Sequence, residues 1–162
     1  MQKILTMCTL ALLLLVTGCG DRQQAAANEN TVSENDNTAS AAAENISTVM
    51  QVNGQDVVIM LEVNPASERL ADMLPADLKF SDFNNTEKIA YPPQKLSLEG
   101  ARRGHAPKAG DLCVYAPWGN LCIFYRDYKY SDDLVYLGRV DKNLTVLTEE
   151  DGNFTARLAK SN

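Results

Sequence analysis

The residue types with the widest chemical scope in this 162-residue chain are four cysteines and a single histidine. Two of the cysteines, Cys113 and Cys122, sit nine apart in the stretch CVYAPWGNLCIFY, residues 113–125. Such a pair can bond as a disulfide, exchange as a redox couple, or pack as two small buried thiols. The spacing is not Cys-x-x-Cys, which argues against thiol-oxidoreductase chemistry. His105 stands alone in a glycine-rich stretch and is expected to be solvated. A His-ligated zinc site needs several His or Cys at short spacing, so no metal centre is expected. A Ser-His-Asp triad would have to use His105 as its base. Neither a Gly-x-Ser-x-Gly elbow nor a phosphate-cradling glycine motif occurs. The acidic runs Asp132-Asp133 and Glu149-Glu150-Asp151 fall near turns and read as solvated loops rather than calcium ligands. No cofactor is implied.

The cysteine pair depends on the element that carries it. If Ala116 to Gly119 form a four-residue hairpin loop, Tyr115 faces Asn120 and Cys113 faces Cys122. Their Cβ atoms would then lie about 4.5–5.5 Å apart. A disulfide needs about 3.8 Å, so only the tighter type of antiparallel pair could form one. If Trp118-Gly119 instead make a two-residue turn, Cys113 faces Phe124 and a bridge is doubtful. A disulfide and two buried free thiols both remain open. The alternation of Leu112, Val114, Leu121 and Ile123 with Cys113, Tyr115, Cys122 and Phe124 suits strands packed on both faces.

The N-terminus bears on the compartment. Lys3 precedes an almost continuously apolar run from Ile4 to Val16, 13 residues long. A span of the hydrocarbon core needs about 20. A short apolar run behind a positive start reads as a signal peptide. Its end, Val16-Thr17-Gly18-Cys19, resembles a bacterial lipobox. That resemblance implies a leader over 1–18, removed with Cys8, and lipid attachment at Cys19. Two or more acyl chains anchor a protein stably. The expected site is the bacterial cell envelope, facing periplasm or cell surface, with the membrane as a partner through the lipid.

Residues 19–46 form an expected disordered tether, poor in bulky apolar side chains and rich in Ala, Asn, Ser, Thr and Glu. Five acids against Arg22 give it a charge of −4. A flexible chain of that length spans about 29 Å. Loss of Lys3 takes the whole chain from −6 to −7, which gives no reason to expect nucleic acid.

Residues 47–162 read as one domain. Val49–Val52, Asn53-Gly54 and Val57–Leu61 predict a hairpin on a type I′ turn. Asn64 caps a helix from Pro65 to Leu74, which Pro75 ends. Strands are expected at 78–83, 86–91, around the quoted hairpin, and at 134–140, 144–147 and 154–158. Residues 94–110 are a long loop holding Arg102, Arg103, His105 and Lys108, a functional candidate by its length. About eight strands with one helix favour a mainly β fold closed into a barrel or sandwich.

The order of these pieces resembles the bacterial cyclophilin-like domain family, whose small barrels are sometimes joined to flavodoxin domains. The residues that carry it are Asn64-Pro65-Ala66 with Leu74-Pro75, and Ser81-Asp82-Phe83-Asn84-Asn85-Thr86-Glu87-Lys88. Gly110-Asp111-Leu112, Tyr115-Ala116-Pro117-Trp118-Gly119-Asn120, Phe124-Tyr125 and Leu137-Gly138-Arg139 follow. The resemblance implies a closed eight-stranded barrel with one main helix. Cyclophilins proper are peptidyl-prolyl isomerases with a catalytic arginine beside a Phe-His-Arg segment. That segment does not occur here, and Arg102, Arg103, Arg126 and Arg139 match nothing in the motif. The expected function is therefore a non-enzymatic module binding a small ligand or an envelope protein. A divergent prolyl isomerase is the alternative, and a redox-linked accessory protein a further one. Two readings of these aromatics stay open: Trp118 packs as a cap on the barrel end, or Tyr91, Tyr115 and Trp118 border a pocket with Glu87 and Asn120 as its polar groups.

Overall fold

The computed structural model describes residues 44–161. The leader, Cys19 and the tether up to residue 43 lie outside the described residues.

Eight antiparallel strands close into a barrel: β1 (Ile46–Val52), β2 (Gln55–Leu61), β3 (Ala76–Phe83), β4 (Glu87–Ala90), β5 (Asp111–Tyr115), β6 (Asn120–Phe124), β7 (Leu134–Lys142) and β8 (Phe154–Lys160). Around the barrel their order is β1-β2-β7-β5-β6-β4-β3-β8. Strand β1 begins at Ile46, which pairs with Leu61. Asn53 and Gly54, with φ of 47° and 80°, make the tight turn between β1 and β2.

Alternate residues of each strand fill the barrel. Met50, Ile59, Leu78, Phe80, Leu112, Val114, Leu121, Ile123, Leu137 and Leu158 are all buried in one core. Helix α1 (Pro65–Asp72) closes the end where β2 stops. The Asn64 side chain accepts from the backbone N–H groups of Ala66 and Ser67, and Pro65 fits the first turn. Ala66 and Leu70 enter the core, while the buried Ser67 hydroxyl donates to the Leu137 carbonyl at 2.8 Å. Burying a leucine such as Leu70 contributes about 2 kcal/mol. Gly138 lies where β7 crosses β2. A Cβ there would collide with the Met60 carbonyl oxygen and come within 2.7 Å of Leu61 Cα, so the barrel wall closes only around glycine.

One expected strand is a helix. Leu144–Thr148 forms α2 rather than a β-strand. Thr145, Val146 and Thr148 favour strands locally, but position overrides them. Strand β7 lies beside β2 and β5, whereas β8 lies beside β1 and β3. The chain must therefore cross the barrel end, and a short helix does so while burying the consecutive Val146 and Leu147. Asn143 opens the crossing in the left-handed region and its Nδ2 donates to the Asp56 carbonyl.

Lys88 points into the barrel at this same end and is only 3% exposed. Its ammonium donates to Asp82 Oδ2 at 3.0 Å and to the Glu150 carbonyl at 2.7 Å, and lies 5.3 Å from the Tyr125 ring centroid. The Tyr125 hydroxyl donates to the same Asp82 oxygen at 2.6 Å. Partial burial pulls the Asp82 carboxyl upward, but donors from Tyr125, Lys88 and the Asn85 backbone outweigh it and hold the group below its ordinary value. Burial and the Asp82 partner push the Tyr125 phenol up to about 12.

Candidate functional site

Strands β5 and β6 are buried on both faces. Their inward residues belong to the barrel core. Their outward residues, Cys113, Cys122 and Phe124, form a second cluster with Leu134, flanked by Ile89, Tyr115 and Tyr136. Two loops provide the cover. Residues 104–107 pair with 128–134: His105 and Ser131 exchange backbone hydrogen bonds, Gly104 N–H donates to the Leu134 carbonyl, and Tyr128 N–H to the Pro107 carbonyl. Lys108 and Asp127 add an ion pair at 2.9 Å. Asp133 accepts from Ala116 N–H through its carbonyl and so pins the cover to the β5–β6 loop.

The cover leaves a cavity of about 280 Å³ on the outside of the barrel wall. Glu87 and Ile89 of β4, Tyr115 of β5, and Asn120, Cys122 and Phe124 of β6 form its floor and sides. Phe83 and Trp118 stand at one flank, and Tyr128, Lys129, Tyr130, Ser131 and Leu134 at the other. Trp118 meets Tyr115 and Phe83 edge-on, with ring centroids 5.3 and 5.7 Å away and interplanar angles of 89° and 87°. Its remaining surface is exposed at the rim.

The polar floor centres on one sulfur. Asn120 is 1% exposed, and its Nδ2 donates to Cys122 Sγ at 3.2 Å and to the Leu121 carbonyl at 3.3 Å. Glu87 shares a hydrogen bond with the Cys122 thiol. Among the described residues, Asn120 Oδ1 and Glu87 Oε2 are buried atoms with no hydrogen-bond partner. The contact to the Leu121 carbonyl settles which end of the Asn120 amide is nitrogen, since a carbonyl only accepts. Burial raises the Glu87 carboxyl above its ordinary value, against the hydrogen bond from Cys122. Cys113 faces Cys122 across the hairpin, on the four-residue loop, and both are free thiols. Burial first pushes both thiols well above their ordinary value, joined at Cys113 by the Asp111 and Glu87 carboxylates and at Cys122 by Glu87. Such thiols resist becoming the nucleophilic thiolate.

A model of the cyclophilin-like family matches residues 50–159. The chain belongs to the cyclophilin-like family. Its fold is similar to the solution structure of the hypothetical protein AF2241 from Archaeoglobus fulgidus, with a TM-score of 0.57 and 12% identity over 72% of this chain and 95% of that one. At that identity the likeness speaks for the fold alone. The sequence matches no curated protein.

In this cyclophilin-like barrel four of the residues singled out by sequence, Glu87, Tyr115, Trp118 and Asn120, border one cavity. Tyr91 is not among its lining and is 59% exposed. It shares the parity of Glu87 and Ile89, but β4 ends at Ala90 and Pro92 carries no N–H to continue the ladder. Cys122 and Phe124 escaped the sequence reading although their even spacing from Asn120 places them on the same face. Tyr128 and Tyr130 escaped it because only the folded loop brings them over β5 and β6.

His105 is not simply solvated. Its Nε2 lies 2.8 Å from Asp111 Oδ2, which also accepts from Lys108 N–H, and its ring is 4.7 Å from that of Tyr136. It helps hold the covering loop. The basic residues of that loop divide: Lys108 pairs with Asp127, whereas Arg102 and His105 line a separate cleft with Glu62, Asn64 and Tyr136.

Proposed function

We propose that this cyclophilin-like domain is a non-enzymatic binding module of the bacterial cell envelope, tethered by lipid at Cys19 and taking a small ligand into the cavity beside β4, β5 and β6. The observation that carries the reading is the cavity itself: an aromatic-walled space of about 280 Å³ whose lining includes the polar residues Glu87 and Asn120. Apolar walls with a few placed polar atoms are the usual form of a ligand site.

The other readings draw less support. A redox role needs an accessible thiolate, and both thiols are buried and pushed upward. A prolyl isomerase of the usual kind centres on arginine, and the cation on this cavity's lining is Lys129. The test is native mass spectrometry of the full chain extracted in detergent from its own membranes, beside a Trp118→Ala, Tyr115→Ala double variant. A small molecule carried by the natural protein and lost from the folded variant supports the reading. Equal carriage by both proteins, or none by either, removes it.

A further inference from the structure

Aromatic side chains outnumber aliphatic ones around the cavity: Phe83, Tyr115, Trp118, Phe124, Tyr128 and Tyr130 all line it. Trp118 stands at 89° to Tyr115 and at 87° to Phe83, so the rings do not share one plane. Aromatic faces carry negative charge density, which attracts cations and disfavours anions. One cation already uses this wall. The Lys129 ammonium lies 6.0 Å from the Tyr128 ring centroid, at the outer reach of such a contact. Two carboxylates add to the field. Glu87 lines the cavity, and its charge acts across a low-dielectric wall without contact. The Tyr130 hydroxyl donates to Asp132 Oδ1 at 2.9 Å, which polarises that ring and sets a second negative charge behind it. Trp118, Tyr128 and Tyr130 are about half-exposed, so the rim is open. At about 280 Å³ the space falls just below the range of drug-sized sites, about 300–1,000 Å³, and suits a compact head group.

We infer that the cavity takes a compact alkylammonium cation, of the trimethylammonium type, with its methyl groups against the rings of Tyr115, Trp118 and Tyr128. This rests on the proposed binding role and adds the chemical class of the ligand. A quaternary ammonium has no N–H to satisfy, so it needs charge and π-faces rather than hydrogen-bond partners. A neutral group of the same shape buries the same area and gains none of the ring attraction. An anion meets the rings and Glu87 as repulsion, against which the lining sets the single exposed cation Lys129. Glu87 gains as well: burial raises its carboxyl, and a cation nearby favours the ionised form.

The test is calorimetry on the full chain in a maltoside detergent, which carries no ammonium. Its probes are choline and the neutral carbon isostere of choline, 3,3-dimethylbutanol. Choline is expected to bind about tenfold more tightly than the alcohol. Trp118→Leu keeps apolar bulk at an exposed position but removes the ring. It should weaken choline about tenfold and move the alcohol little. Lys129→Ala frees the face of Tyr128 and should tighten choline about threefold. Lys129 is exposed, so that variant keeps the test open if Trp118→Leu does not fold. Equal binding of the two probes, tighter binding of the alcohol, or weaker choline binding in Lys129→Ala overturns the cation class while the binding role stands. In native mass spectrometry of the chain from its own membranes, the cavity-dependent ligand should carry an alkylammonium group. Its mass separates a free solute from a lipid head. A cavity-dependent ligand without that group also overturns the class alone. Binding of neither probe, with no such ligand, overturns both.

Discussion

Cys113 and Cys122 face each other across β5 and β6, both buried under the covering loops. Alkylation requires the thiolate, which burial and the Glu87 charge disfavour at both positions and Asp111 further disfavours at Cys113. Iodoacetamide at mildly alkaline pH should leave both unlabelled in the native protein and label both after denaturation without reductant. Fast native labelling would contradict the burial argument, and failure to label after denaturation would reveal a disulfide. Glu87 gives a pH signature of its own. Its carboxyl is raised by burial, so the folded state holds a proton that the unfolded chain has released. Stability is thus lost as pH rises from the ordinary value of 4.5 through the raised one. Glu87→Gln removes that loss. Melting temperatures of the variant should gain on the natural protein from acid towards neutral pH, and parallel curves would refute the assignment. Glu87, Tyr115, Trp118 and Asn120 were legible as site candidates by residue type, aromatic rings with two polar groups, within the segments that carry the family resemblance. Tyr91 obeyed the same parity but lies past the last paired residue, and strand ends are set by the partner strand.

At the scale of elements, the network joining β3, β4 and the segment after α2 decides how the barrel end closes. Lys88 bridges the Asp82 carboxylate and the Glu150 carbonyl from a buried position. Removing one member of such a pair strands the other, and Asp82 is partly exposed, so the cost of Lys88→Ala should fall near the low end for buried pairs, about 3 kcal/mol. Urea denaturation of the variant measures it. A loss below about 1 kcal/mol would mean that the pair is solvated and idle. Most elements were readable from local signals, such as Asn53-Gly54 for the first hairpin and Asn64-Pro65 for α1. Helix α2 was not, because its β-branched residues speak for a strand and only the distance between β7 and β8 demands a helical crossing. The loop over 94–110 was legible as long. Its work as a brace, through His105–Asp111 and Lys108–Asp127, was not, since both acids lie outside the segment that they hold.

For the molecule as a whole, the proposed anchor makes Cys19 the residue on which membrane attachment depends. Cys19→Ser should move the chain from the membrane fraction to the soluble fraction of gently lysed cells, with the melting temperature of the domain unchanged. A variant that stays with the membrane would point to another mode of attachment. The sequence by itself determined the class of the barrel, its first hairpin and main helix, and the family. These rest on short-range chemistry: turn residues that tolerate positive φ, capping side chains, a two-residue alternation, and short motifs in a fixed order. Only the tertiary structure decided that the outward face of β5 and β6 is roofed, and that Tyr128 and Tyr130 complete a cavity there beside Asn120 and Glu87. Those features arise from pairings between segments far apart in the chain, such as Gly104 with Leu134 and Ala116 with Asp133. Their energy depends on which surfaces the closed barrel brings together, and no local pattern of residues encodes that.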